Sequence, residues 1–211
     1  MKWHLDILPA DQLRLWESRI INGFEGFVLY GGTALALRLG HRVSVDFDLF
    51  SNQPFVPLEL KHQFQLPGEI LQAEKNTLTL LIDEVKVSFF GGLPFGCIKH
   101  PDHYQNCSIA SLQDLAGCKL AALWQRVEPK DYQDIAALLR AGLTLPEMLG
   151  CGRALYGEQF PPMLVAKAVA YFDDPILKSV SSADRTLLEQ AVSSVSSIPD
   201  IDLISAVMLP E

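Results

Sequence analysis

The stretch "YGGTALALRLGHRVSVDFDLF", Tyr30 to Phe50, decides the fold. It joins a glycine pair, Gly31-Gly32, to a short apolar run and then to a segment of strict alternation that carries two acids. In an extended chain over 43–50, Val43, Val45, Phe47 and Leu49 share one face, and Ser44, Asp46, Asp48 and Phe50 share the other. Strand interiors disfavour aspartate, and an inward carboxylate is costly unless something pairs with it. An account of this stretch must explain the glycines and the acids together.

Working outward, "GFVLY" (26–30) predicts a buried strand stopped by Gly31-Gly32, and "TALALRL" a helix over 33–39 with Thr33 as its cap and Gly40 just past its end. Residues two apart on a strand lie roughly 6.6 Å apart on one face. Two carboxylates so placed can lean onto one divalent ion, or bracket two ions about 3.5–4 Å apart, and so polarise a phosphoryl group. A Gly-Gly turn admits a phosphate close to the backbone, and the following helix start points amides and a positive dipole end at it. Asp-x-Asp alone is common on solvated strands, and Gly-Gly alone is an ordinary turn. Their order and spacing here make a coherent site for a nucleoside triphosphate and its metal. It is not a Walker loop, because no Gly-Lys-Ser/Thr ending follows.

Elsewhere, helical spacing of Leu13, Trp16 and Ile20 predicts an opening helix from Pro9 to Ile21. A further helix is expected near 57–66, and "TLTLLIDEVKVSFF" (77–90) reads as two strands turning at Asp83-Glu84. Beyond about 108 the pattern is helical. "SLQDLAGCKLAALWQR" (111–126) and "KDYQDIAALLRAG" (130–142) come first, and Pro146, Pro161-Pro162 and Pro175 then divide three or four more. The expected division is therefore residues 1–100 as an α/β (α+β-like) core and 101–211 as a helical region closing over the cleft.

At 211 residues the chain can bury a sizeable core, and 49% hydrophobic with 20% charged residues is ordinary for a folded protein. No apolar run approaches the ~20 residues that span a bilayer, and the N-terminus lacks a signal-peptide pattern, so no membrane partner is expected. Cys97, Cys107, Cys118 and Cys151 form no CxxC pair, which points to a reducing cytoplasm. A net charge of -8 argues against a general nucleic-acid coat protein.

"GGTALALRLGHRVSVDFDLF" resembles the first motif of the AbiEii/AbiGii-type nucleotidyltransferase toxins, in the polymerase-beta-like nucleotidyltransferase superfamily. The likeness continues through "VKVSFF", "SLQDLAGCKLAALWQR", "KDYQDIAALL" and "YFDDP", over most of residues 1–175. It implies a nucleotidyltransferase mixed-sheet core in which Gly31, Gly32 and Thr33 contact nucleotide phosphates. Asp46 and Asp48 would hold Mg2+, or Mn2+ in its place, with Arg42 and Ser44 supporting the site. It implies transfer of a nucleoside monophosphate from an NTP to an acceptor hydroxyl, with RNA, notably tRNA, as the acceptor in toxin relatives and an antitoxin protein as the restraining partner. The superfamily commonly adds a third carboxylate from a later strand. Its place here is Ser88, on the same face as Lys86, and serine cannot serve as the general base.

In the helical half, Lys119 is the only charged residue between Leu115 and Trp124, and Arg126 seven residues on shares its face. A lysine there needs a partner or an open cleft. The resemblance assigns it to the active site as a cation for the triphosphate, with snorkelling to solvent as the plain alternative. Asp131 is a candidate for the missing base or for an orienter of Lys119, and equally a helix cap, with Asp134 favouring the first turn. Trp124 and Tyr132 are expected in the core, and Cys118 as an inert small hydrophobe. His41 and Asp173-Asp174 are expected to be structural. Two other readings stand beside the transferase: a nucleotide-binding protein without transfer chemistry, motivated by Ser88, and a non-enzymatic interaction module with solvated aspartates.

Overall fold

Seven strands and eight α-helices make up the described part of the molecule, a mixed α/β architecture. The computed structural model describes residues 2–18, 20 and 24–209. By internal contacts the chain forms two units. One comprises the residues up to Ser111 together with the segment from Ser205 onward, and the other runs from Leu112 to Ile204.

The first unit is built on one mixed sheet. Its strands are β1 (Val28–Tyr30), β2 (Asp46–Phe50), β3 (Glu69–Glu74), β4 (Thr77–Ile82), β5 (Val85–Phe90), β6 (Asp102–Tyr104) and β7 (Cys107–Ile109), in the spatial order β3-β4-β5-β2-β1-β7-β6. β2 lies antiparallel to β1 and parallel to β5, and β1 is parallel to β7. Helices α1 (Ala10–Glu17), α2 (Gly31–Leu39) and α3 (Pro57–Gln63) complete the unit.

One sheet face is a continuous apolar layer. Register puts Leu29 beside Leu49, Phe47 beside Val87, Leu49 beside Phe89, and Leu80 beside Val87, all of them buried. Trp16 of α1 covers this layer, stacking on Phe47 at a centroid distance of 5.9 Å. The parity of the pleat then fixes the opposite face, which carries Tyr30, Asp46, Asp48, Phe50, Lys86, Ser88 and Phe90.

Several boundaries differ from the sequence reading. α1 ends at Glu17, short of Ile20, and Ser18 explains the stop because its hydroxyl donates to the Leu15 carbonyl at 2.7 Å. The expected last residue of that helix, Ile21, lies outside the described residues. β2 begins at Asp46 and not at 43, since its ladder partners go no further than Tyr30 on β1, which faces Asp48, and Lys86 on β5, which faces Asp46. Val43 and Val45 precede the ladder and are each 57% exposed. The Asp83-Glu84 turn is present, with positive φ at both residues (48° and 64°), the conformation of a tight two-residue hairpin reached without glycine. β3, β6 and β7 had no strand signal: β3 is exposed along its whole length, and the other two have three residues each. β6 and β7 also carry the sheet past the expected boundary at residue 100.

The second unit holds α4 (Leu112–Gln125), α5 (Pro129–Arg140), α6 (Leu145–Tyr156), α7 (Pro162–Val169) and α8 (Ser182–Ser193). α4 and α6 approach closely, for a Cβ on Gly117 would stand 2.9 Å from Leu155 and 3.0 Å from the Cys151 backbone. α6 starts with a full capping box between Thr144 and Glu147. Tyr132 is buried as expected. Trp124 is not in the core: it is 43% exposed at the end of α4. Among the described residues no single helix is long and apolar enough to cross a membrane.

Candidate active site

Asp46 and Asp48 sit one pleat apart on β2, half-exposed, while Phe47 between them is buried in the apolar layer. The lone apolar face of the strand therefore forces both carboxylates onto the other side. Lys86 of β5 stands beside Asp46, its Nζ 3.8 Å from Asp46 Oδ2, and Ser88 stands beside Asp48. Tyr30 of β1 flanks Asp48 from the opposite edge.

The chain turns from β1 into α2 directly against these acids. Gly31 has φ +73°, a conformation open to glycine, and a Cβ there would collide with Asp48 Oδ2. A Cβ on Gly32 would come within 2.6 Å of Arg42 Nη2 and 2.8 Å of Ser44 Oγ. The glycine pair thus leaves the backbone packed against one carboxylate, one guanidinium and one hydroxyl. Arg42 also donates to the Val43 carbonyl at 2.9 Å, which steadies the loop that carries it back along α2.

Because Gly31 takes the positive φ, α2 starts at Gly31 itself, with Tyr30 at the cap position. This corrects the reading of Thr33 as helix cap. Thr33 is the third helical residue, 1% exposed, and its hydroxyl donates to the Asp46 carbonyl and accepts from Gln12 Nε2 at 3.3 Å. Its side chain is committed to joining α2 to β2 and cannot meet a phosphate. The amides of Gly31, Gly32 and Thr33, as the first three of a helix, have no acceptor within that helix. Gln12 was missed by the sequence reading. It is 1% exposed, and its Nε2 also reaches the Asp46 carbonyl at 3.3 Å, so α1 clamps the start of β2. The available signal was a glutamine in the inward stripe of α1, three and four residues before Leu15 and Trp16.

In the helical unit, Lys119 is 6% exposed and its Nζ lies 2.6 Å from Asp134 Oδ2 and 3.3 Å from Asp131 Oδ1. Arg126 Nε donates to Asp131 Oδ2 at 3.0 Å. Lys119 is therefore paired, not snorkelling. Asp131 has no solvent exposure and both its oxygens are held by cations, which rules against the base and fits the orienter. Asp134, expected only to favour the first turn of its helix, is the nearer partner of Lys119. Cys118 is inert for a physical reason: burial pushes its thiol up to about 12, partly offset by a hydrogen bond from the Tyr156 hydroxyl at 3.3 Å. Asp174 caps the short helical turn after it, accepting from the Ile176 amide at 3.0 Å.

A family profile described as "Nucleotidyl transferase AbiEii toxin, Type IV TA system" matches residues 15–202. The chain belongs to this family. That places it among nucleotidyl transferase toxins of type IV toxin–antitoxin systems, in agreement with the resemblance drawn from the motifs. A relative from Aquifex aeolicus (strain VF5), the uncharacterised protein aq_aa25, is 33% identical over 175 residues, covering 79% of this chain and 84% of its own length. The AbiEii match spans both units, so the helical half is part of the family pattern.

Proposed function

We propose that this AbiEii family member transfers a nucleoside monophosphate from an NTP to an acceptor hydroxyl, with pyrophosphate as leaving group. The observation that carries the reading is the register of β2 against the start of α2: two carboxylates on one open face, with the Gly31 backbone packed on one of them. The amides of Gly31, Gly32 and Thr33 would bind the phosphates, helped by the dipole of α2 and the Arg42 guanidinium. Asp46 and Asp48 suit a hard divalent cation, being half-exposed oxygen donors one pleat apart, and Mg2+ or Mn2+ is the cofactor they would hold. Bound there, the ion would supply neutralisation of charge developing on the phosphoryl oxygens. Lys119, buried within the helical unit, is already offset by the two carboxylates of Asp131 and Asp134.

RNA, with tRNA foremost, is the proposed acceptor, the cytoplasm the proposed compartment, and an antitoxin protein the proposed partner. The antitoxin is suggested by the family's toxin–antitoxin character, the RNA acceptor by the resemblance of the motifs to toxin relatives, and the cytoplasm by four cysteines that form no CxxC pair. A second reading, nucleotide binding without transfer, is favoured by one observation. The place of a third carboxylate is filled by Ser88, 2% exposed and hydrogen-bonded from Thr79 Oγ1 at 3.3 Å.

The test is a transfer assay with each labelled NTP, Mg2+ and total cellular RNA, run beside Asp46→Ala and Asp48→Ala. Label in RNA with the wild type alone is the expected result, each substitution lowering the rate by about 100-fold or more. Binding of Mg-NTP by calorimetry without any transfer would decide for the second reading. Absence of binding would remove the site.

A further inference from the structure

We propose that Gln12 is a positioning residue for the candidate metal-binding carboxylate: by holding the Asp46 main-chain carbonyl from α1, it sets where the Asp46 side chain stands. This rests on the nucleotidyltransferase reading above, in which Asp46 and Asp48 hold the divalent cation.

The register shows why Asp46 needs such a hold. β1 ends at Tyr30, opposite Asp48, so on that side of β2 no strand residue faces Asp46. β5 pairs with it from the other side through Lys86. Upstream, Val43 and Val45 precede the ladder and are each 57% exposed. In place of a β1 partner, two side chains meet the Asp46 carbonyl. The Thr33 hydroxyl of α2 donates to it, and so does Gln12 Nε2 of α1, at 3.3 Å. Gln12 Nε2 also lies 3.3 Å from Thr33 Oγ1, so the two donors brace each other. Trp16, one turn further along α1, stacks on Phe47, and a single helix thus holds two successive residues of β2. The peptide unit that follows Asp46 is planar and joined to the Cα that bears the side chain. Fixing that plane therefore governs the direction in which the carboxylate leaves the strand.

The chemistry of Gln12 separates this role from space filling. Gln12 is 1% exposed, and its Oε1 is buried with no hydrogen-bond partner among the described residues. A buried amide oxygen left unpaired destabilises a fold. Methionine, of similar length and helix propensity, would fill the space without that oxygen. What methionine cannot do is donate to the Asp46 carbonyl. The amide is unfavourable for packing at this position, and its gain lies in the hold on Asp46.

The test compares the full chain with its Gln12→Met variant. Calorimetry would measure affinity for the manganese(II) complex of each of the four α,β-imido nucleoside triphosphates, beside a thermal melt without ligand. Gln12→Met should melt at or above the wild-type temperature yet bind roughly tenfold more weakly, the scale seen when a supporting partner of a metal ligand is lost. On an Asp46→Ala background the same substitution should change the remaining affinity by no more than about twofold, because its effect runs through that carboxylate. Unchanged affinity in Gln12→Met, or a further tenfold loss on the Asp46→Ala background, would mark a merely structural residue and overturn the proposal. Thr33→Val removes the other donor to the same carbonyl and serves if Gln12→Met does not fold. It too should weaken binding, and unchanged affinity there would also overturn the proposal. No binding by the wild type with any of the four complexes would sink the transferase site itself, a failure distinct from misassigning Gln12.

Discussion

Lys119 shows what burial does to a charge. Its two carboxylate partners carry no exposure, so none of the three can fall back on water if a partner is removed. Asp134→Ala should cost about 3–5 kcal/mol, measured by urea unfolding. The exposed pair of Arg140 with Asp184, at a similar 2.6 Å, provides the contrast: Arg140→Ala should cost at most about 1 kcal/mol. Equal losses from the two substitutions would contradict this view of the network. The thiols make a second prediction at this scale. Burial raises Cys107 and Cys118 from 9.0 to about 12. Above pH 9 the unfolded chain releases those protons while the native state keeps them, so their stabilising contribution is full below pH 9 and lost as pH rises from 9 towards 12. Stability should fall by roughly 1.4 kcal/mol per pH unit for each thiol across that window. Urea midpoints at pH 8 and pH 10 test it, with a Cys107→Ala/Cys118→Ala double variant expected to show a shallower decline.

At the scale of elements, the join of β1 to α2 matters most. The helix begins one residue after the strand ends, which glycine alone permits at φ +73° with Asp48 packed on its backbone. Gly31→Ala should destabilise the first unit by about 1–3 kcal/mol and displace the Asp48 carboxylate, lowering nucleotide affinity as well. Calorimetric titration with an NTP analogue, beside a thermal melt, would show whether both effects appear. A melt shift without any change in affinity would detach Gly31 from the site. The capping box of α6 is a purely structural counterpart. Thr144→Ala should cost about 1 kcal/mol and leave transfer untouched.

On the scale of the whole molecule, the chain returns to its first unit at the end. Cys97 donates its amide to the Ser205 carbonyl at 3.0 Å, and Met208, 1% exposed, donates its amide to Asn52 Oδ1 at 2.7 Å. Asn52 also holds the Leu93 and Phe95 carbonyls at 2.9 Å each, so one side chain gathers two distant segments. A chain ending at Ile204 should lose about 2–4 kcal/mol from the first unit, through Met208 packing and these hydrogen bonds. Hydrogen exchange at the Cys97 amide should quicken in step. Protection equal to that of the full chain would show that the returning segment contributes nothing.

The sequence by itself determined the parts governed by local pattern. Alternation along 46–50 put Asp46 and Asp48 on one face, the glycine pair marked the turn, Pro and Gly bounded the helices, and the motif order identified the family. Tertiary structure decided what depends on a neighbour distant in the chain. It placed Thr33 under Asp46 and Gln12 beneath both, gave Lys119 its two carboxylates, and set Lys86 and Ser88 against the aspartates. It also added β3, which has no apolar alternation, and β6 and β7, each too short at three residues to show a pattern. The physical reason is the range of the forces concerned. Periodicity and turn chemistry are read from residues within a few positions, whereas a hydrogen bond or ion pair between residues far apart exists only once the sheet register and helix packing have formed.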